Sequence, residues 1–291
     1  MAHERFVLDR PDDAGRRIRG YVELPEGAGA PVPAVLVVHG FKGFCRWGFF
    51  PELARRLAGA GLAAVCFNLS GSGVGEDLET FDDDEGFEAN TYSRELEDVA
   101  AVRDALDAGR WASIDPQRIA IFGHSRGGGM ALLHAAERPG LRGVALWAAI
   151  DSVKRWDEAS CALWRERGYA EVPNARTGQI HRLGLDLLED AERNAQRLDI
   201  HAAAGRVDAP ALLVHGEADE AVSVEALERI AAGFAPGRAR AVRVPRAGHT
   251  FGATHPLSEV PPVLDQVLRE TVGFLAAQLL PENRPNGNGP S

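Results

Sequence analysis

RIAIFGHSRGGGMALLHAAER, residues 118–138, is the stretch on which the reading of the fold turns. Its opening part, 119–122, is apolar throughout and reads as a strand buried on both faces. Its closing part, 127–138, carries apolar residues at helical spacing. Between them stands Gly123-His124-Ser125-Arg126-Gly127, a G-x-S-x-G pattern. A strand that enters a helix through such a pentapeptide predicts a nucleophile elbow, a tight turn that strains the serine backbone and exposes its Oγ. Gly123 and Gly127 keep neighbouring backbone from clashing there, and the helix presents its N-terminal amides to developing negative charge. The competing reading is a glycine-rich strand-to-helix turn with an incidental serine.

The same rhythm repeats outward from this unit. PVPAVLVVHG (31–40), LAAVCFNL (62–69), LRGVALWAAI (141–150), APALLVHG (209–216) and RAVRVP (240–245) read as further strands. Helical periodicity follows at 51–58, 93–109, 225–234 and 260–279. Strands that are apolar throughout, alternating with helices, predict an α/β fold with a mostly parallel central sheet flanked by helices. Two segments near 5–9 and 17–24, joined by the turn-rich PDDAG, read as edge strands. The interval 151–206 far exceeds a usual connection of roughly 2–6 residues plus a helix. It contains the helix-like LGLDLLEDAERN and predicts a helical cap insertion over one end of the sheet. Residues 1–280 are expected to form a single domain, and PENRPNGNGPS (281–291) a flexible tail.

A serine hydroxyl is a poor nucleophile unless a histidine takes its proton and a carboxylate orients that histidine. In open α/β sheets such groups sit beyond the C-terminal strand ends. ALLVHG runs into EADEAV, which offers Glu217, Asp219 and Glu220, and the next strand ends in PRAGHTF, which offers His249. Asp219 is the expected acid, a few residues past its strand where a loop can turn it inward. Asp151, directly after VALWAAI, is its rival, and His255 is the rival of His249. His39, His124 and His215 lie near strand ends and are expected to shape the site; His134 reads as structural. The oxyanion of an acyl-transfer intermediate needs two backbone N–H donors. Arg126, next after Ser125, is one expected donor, and Phe41 in HGFKGF (39–44) is the other. Lys42 reads as a solvated loop lysine.

Trp147, Trp156 and Trp164 lie at or inside the insertion, where they are expected to form an apolar pocket over the serine or to pack the insertion onto the sheet. Arg165, Arg167 and Arg176 are candidates for an acidic substrate group, although scattered surface arginines are the commoner case.

Composition narrows the alternatives. Hydrophobic residues make up 45% and charged residues 25%, which excludes a disordered chain. Lys plus Arg number 32 against 42 Asp plus Glu, a net charge of −10 that argues against nucleic-acid binding. Cys45, Cys66 and Cys161 are too few and scattered for a disulfide framework. No apolar run approaches the roughly 18 residues needed to span a bilayer, so a soluble, cytoplasmic protein with no membrane partner is expected. There is no P-loop and no H-E-x-x-H, GSGVGE (71–76) lacks the dinucleotide-binding spacing, and DDDE (82–85) lacks that of a calcium loop. Neither a metal nor an organic cofactor is expected.

The set HGFKG, GHSRGG, HGEADEAV and AGHTF resembles the α/β-hydrolase superfamily. It is similar to the small serine esterases related to dienelactone hydrolase and to the catalytic domain of prolyl-oligopeptidase-type enzymes, over roughly residues 18–280. The resemblance implies an α/β-hydrolase fold and a Ser–Asp–His triad of Ser125, Asp219 and His249, acting without metal or cofactor on a small-molecule ester. Two departures stand out. Dienelactone hydrolases proper use a cysteine where this chain has Ser125, which shifts the expectation to ordinary esters. Prolyl-oligopeptidase-type peptidases carry a large propeller domain, for which 291 residues leave no room. The expected activity is carboxylic-ester hydrolysis through an acyl-enzyme, with peptidase or thioesterase action by the same triad as the alternative. A hydrolase fold kept as a ligand receptor is the non-enzymatic one.

Overall fold

Strand residues point alternately to opposite sheet faces, and the apolar strands of this chain fill both. Ala34, Leu36 and Val38 join one hydrophobic core while Val35 and Val37 join the other. Ile119 and Ile121 likewise face the first core, Ala120 and Phe122 the second. The computed structural model describes residues 2–10, 15–27, 29–174 and 178–281. The expected tail beyond 281 lies outside them.

In chain order the elements are β1 (Ala2–Asp9), β2 (Arg17–Leu24), β3 (Val32–Val38), α1 (Phe50–Gly59), β4 (Ala63–Asn68), α2 (Asp84–Glu88), α3 (Tyr92–Asp107), β5 (Ile114–His124), α4 (Arg126–Glu137) and β6 (Val144–Trp147). After β6 comes the insertion, with α5 (Glu158–Arg167), β7 (Tyr169–Pro173), β8 (Ile180–Gly184), α6 (Leu185–Arg193) and α7 (Ile200–Ala204). The chain then returns through β9 (Ala211–Gly216), α8 (Glu225–Gly233), β10 (Ala239–Val244) and α9 (Pro262–Leu279).

Eight strands form one sheet in the order β1-β2-β4-β3-β5-β6-β9-β10. β1 and β2 pair antiparallel at the edge, β2 meets β4 antiparallel, and all the remaining pairs are parallel. The expected mostly parallel sheet flanked by helices is therefore present. α3, α4 and α8 cover one face and α1 with α9 the other. From β3 the chain steps one way to β4 and the other way to β5, so the strand order reverses between β3 and β5. Ligands of open α/β sheets bind in the crevice at such a reversal. Register sharpens the placement, because Val38 pairs with Gly123, His124 with Trp147, and Gly216 with Val244. The strands thus end along one rim, and the loops after β3, β5, β9 and β10 all leave from it.

The insertion differs from the expectation of a helical cap, since its middle is a two-stranded hairpin of β7 and β8. α5 begins at Asp157, whose carboxylate accepts the Ser160 N–H at 2.7 Å, and stops at Gly168 with φ +80°, after which the chain goes straight into β7. Ala170, Val172 and Leu183 pack toward the first core from alternate positions of the two strands. Five-residue strands with so few large apolar residues carry little periodic signal, which is why the sequence does not announce them. The hairpin docks on α2: His181 is buried between the rings of Phe81 and Phe87, and its Nδ1–H donates to Asp84 at 3.0 Å. Among the described residues no helix is long and apolar enough to cross a membrane.

Candidate active site

Ser125 stands at the junction of β5 and α4 with φ +58° and ψ −122°, a left-handed conformation that a non-glycine residue adopts only under constraint. Its own backbone supplies that constraint. The Ser125 N–H donates to the Trp147 carbonyl at 2.8 Å, and the Ser125 carbonyl accepts from Gly128 at 3.0 Å and Ile150 at 3.1 Å. Close approach fixes the two flanking glycines: a Cβ at Gly127 would lie 2.2 Å from the His39 carbonyl oxygen, and one at Gly123 2.3 Å from that of Gly127. The elbow expected from the pentapeptide is the geometry observed.

Asp219 and His249 leave the same rim after β9 and β10. The His249 Nδ1–H donates to Asp219 Oδ2 at 2.8 Å, and the Asp219 side chain is fully buried. Oδ1 of the same carboxylate accepts the Ala221 and Val222 amides at 2.8 and 2.9 Å. Oδ2 has a second partner, His215 Nε2 at 3.2 Å, and that nitrogen also lies 2.9 Å from the Val222 carbonyl. Two acceptors facing Nε2 place the His215 proton there. Burial pushes the Asp219 pKa up, but the hydrogen bonds from His215, His249 and the Val222 amide outweigh it and hold the carboxylate well below the usual range. The rival groups go elsewhere. Asp151 pairs with Arg229 on the exposed side of α8. His255 accepts the Gly48 N–H at 3.1 Å and packs against Phe44 and Trp47.

Beside His215, which meets the Asp219 carboxylate, His124 and His39 act on backbone groups. His124 donates from Nε2 to the His249 carbonyl at 3.0 Å, and the two rings lie 4.7 Å apart. His39 accepts the Leu69 N–H at Nε2, 3.2 Å, which leaves Nδ1–H to donate to the Gly40 carbonyl at 2.9 Å. The Gly43 N–H donates to that same carbonyl at 3.0 Å. Because a trans peptide is planar, pinning the Gly40 carbonyl also aims the Phe41 N–H, in the opposite direction. The Arg126 amide is the first of α4, where no acceptor exists within the helix. The Arg126 side chain, which the sequence reading passed over, is buried. Its guanidinium sits 4.0 Å from the Phe41 ring centroid and 4.8 Å from that of Tyr92, and 3.3 Å from Glu95 Oε1. It ties the loop after β3 to the elbow.

Ser125 and His249 open onto one cavity of about 220 Å³, lined also by Gly40, Phe41, Trp47, Phe50, Lys42 and Asn174. None of the three tryptophans expected there lines it. Trp147 lies on the face of the sheet covered by α1 and α9, away from the insertion, where it packs on Phe49, Phe122 and Phe251 and its Nε1–H donates to Thr271 at 2.8 Å. Trp156 and Trp164 pack edge-to-face with centroids 4.8 Å apart and hold α5 against the first core. Packing of the insertion onto the sheet accounts for Trp156 and Trp164; Trp147 neither lines the cavity nor touches the insertion, and packs the other core. Trp47 and Phe50 come instead from KGFCRWGFF (42–50), an aromatic run directly after the loop that carries Phe41. Its nearness in sequence to that loop was the available signal. Arg165 pairs with Glu192, and Arg176 lies outside the described residues. Among the described residues no group of three or more His, Cys, Asp or Glu side chains is placed to hold a metal ion.

Burial keeps three histidines neutral. It pushes His39 and His134 down to about 4, and pushes His124, with His249 beside it, down to about 3. The unfolded chain binds these protons near pH 6.5, so their stabilisation is intact above that value and is lost as pH falls toward 4 and then 3. Each shift corresponds to on the order of 3 kcal/mol at full protonation, a large share of a typical stability of about 5–15 kcal/mol. Thermal melts from pH 7 to pH 4 are therefore expected to show a steep fall in Tm within that window. A Tm flat across it would contradict the buried neutral state.

Comparison with known proteins agrees with this architecture. The model of the prolyl oligopeptidase family matches residues 47–263. An uncharacterised protein of Mycobacterium tuberculosis is 31% identical over 239 residues, spanning 81% of this chain and 69% of its own. The 2,6-dihydropseudooxynicotine hydrolase of Paenarthrobacter nicotinovorans is 27% identical over 207 residues, 69% of this chain and 47% of that one. Est1E from Butyrivibrio proteoclasticus, solved with ferulic acid bound, superposes with a TM-score of 0.70 at 21% identity, covering 94% of this chain and 98% of that one. The esterase domain of a Rhodothermus marinus protein gives a TM-score of 0.64 at 20% identity, covering 96% and 100%. With the elbow, the rim and the sheet order already in place, these matches make the chain an α/β-hydrolase that belongs to the prolyl oligopeptidase family.

Proposed function

We propose that this hydrolase cleaves carboxylic esters through an acyl-enzyme formed on Ser125. The observation that carries the reading is the Asp219–His249 hydrogen bond, 2.8 Å long, on the rim of the cavity that the strained Ser125 elbow also enters. His249 Nε2 takes the proton as Ser125 Oγ attacks the ester carbonyl, and the electron pair of that carbonyl moves onto its oxygen. The amides of Phe41 and Arg126 bind the resulting oxyanion. Nε2–H then protonates the departing alkoxide, and a water, deprotonated by the same nitrogen, releases the acid and returns Ser125. Asp219 orients the imidazole and stabilises its charged form. That a structural neighbour is the esterase domain of a Rhodothermus marinus protein supports the choice of bond.

Membership of the prolyl oligopeptidase family favours a second reading, amide hydrolysis by the same groups. One acyl group presented as p-nitrophenyl ester, thioester and p-nitroanilide separates them. The oxygen ester is expected to turn over with the highest kcat/KM. An anilide or short peptide turned over faster than the ester would move the assignment to a peptidase, and no turnover of any of the three would remove it.

A further inference from the structure

The cavity beside Ser125 has an apolar wall and a polar end. Phe41, Trp47 and Phe50 supply rings along the wall. The polar end joins parts of the chain far apart in sequence: Lys42 from the loop after β3, and Asn174 from the hairpin of the insertion. Lys42 adopts φ +53°, and from there its side chain crosses to the hairpin, where Nζ donates to the Pro173 carbonyl at 2.9 Å. Its ammonium therefore stands at the border between insertion and cavity. Asn174, directly after β7, is only 2% exposed. Its Nδ2 is 3.4 Å from His181 Nε2, and His181 in turn donates to Asp84. That chain of contacts holds the amide in place against the cavity.

An ammonium here is out of keeping with the rest of the molecule, whose net charge of −10 repels anions. A lysine held at the edge of an apolar, aromatic-walled cavity gives a carboxylate a charge-assisted partner at a fixed position. A volume of about 220 Å³ has room for one ring with a few attached atoms beside Ser125. We infer that the site selects esters bearing a carboxylate on an aromatic or short apolar frame, with Lys42 as the specificity-determining residue and Asn174 as a supporting donor. The inference rests on the ester-hydrolase reading above.

Two matched ester pairs test it. Monomethyl terephthalate against methyl p-toluate places the carboxylate on the acyl side; 4-acetoxybenzoate against p-tolyl acetate places it on the leaving group. The readout is the ratio of kcat/KM within each pair, for the unmodified protein, Lys42→Met and Lys42→Arg. The charged member is expected to lead by about tenfold in one pair, the size of a single charge-assisted contact. Which pair shows the lead identifies the side of the scissile bond that faces Lys42. Lys42→Met is expected to bring that ratio to about one, and Lys42→Arg to retain most of it. A lysine that only clasps the insertion would, when replaced, slow both members alike and leave the ratio unchanged, which overturns the inference. Turnover of the esters by the unmodified protein with no preference in either pair also overturns it while leaving the ester-hydrolase reading intact. No turnover of any of the four sinks both.

Discussion

Ser125→Ala is expected to lower kcat for any ester substrate by about 10⁴- to 10⁶-fold, the range seen when a serine nucleophile is removed and oxyanion binding alone persists. The argument is geometric. Ser125 is the residue of the elbow forced to φ +58°, and the hydrogen bonds of its N–H and carbonyl hold it there whatever its side chain. Alanine keeps the backbone and loses only the oxygen, so the melting temperature should stay close to that of the parent protein. Ser125→Gly removes the oxygen and also the penalty of a side chain in a left-handed conformation, about 1–3 kcal/mol. It should be equally inactive and more stable. Initial rates on a p-nitrophenyl ester, with melts of both variants, check the pair of effects. Substantial turnover by Ser125→Ala would remove Ser125 from the nucleophile's role.

Asp219→Asn is expected to cost about 10⁴-fold in kcat, whereas Asp151→Asn should change it less than about twofold. Oδ2 of Asp219 accepts from both His249 Nδ1 and His215 Nε2, and Oδ1 accepts two backbone amides. An asparagine can keep one oxygen for the amides, but its NH2 then faces two donors. The least costly remedy is to move the His249 proton from Nδ1 to Nε2, and an imidazole protonated at Nε2 is unable to take the proton of Ser125. Asp151 offers no such coupling, since its carboxylate pairs with Arg229 away from the cavity. Both variants assayed on one ester settle the acid: crippled turnover in Asp151→Asn with an active Asp219→Asn would reverse the assignment.

Much of this site is legible in the sequence. The unit at 118–138, the apolar strands around it and the histidine after PRAG are local features. Hydrophobic period, a glycine pair and position past a strand end act within a few residues, and a sequence displays them directly. Of the two open choices, Asp219 against Asp151 lay between residues just past different strands, and His249 against His255 between residues six apart in one loop. They differ only in what their side chains meet across the rim.

By itself the sequence determined the alternation of strands and helices, the elbow at Ser125 and the loops that could bear its partners, because each follows from short-range sterics and burial. The tertiary structure alone decided that Trp147 turns to the face away from the insertion, that Trp47 and Phe50 line the cavity in place of the insertion's tryptophans, and that Lys42 meets Pro173 across 131 residues of chain. Those outcomes depend on strand register and on which face a residue takes. A shift of one residue along a strand reverses that face, and residues distant in sequence carry no local mark of the neighbour that packing will give them.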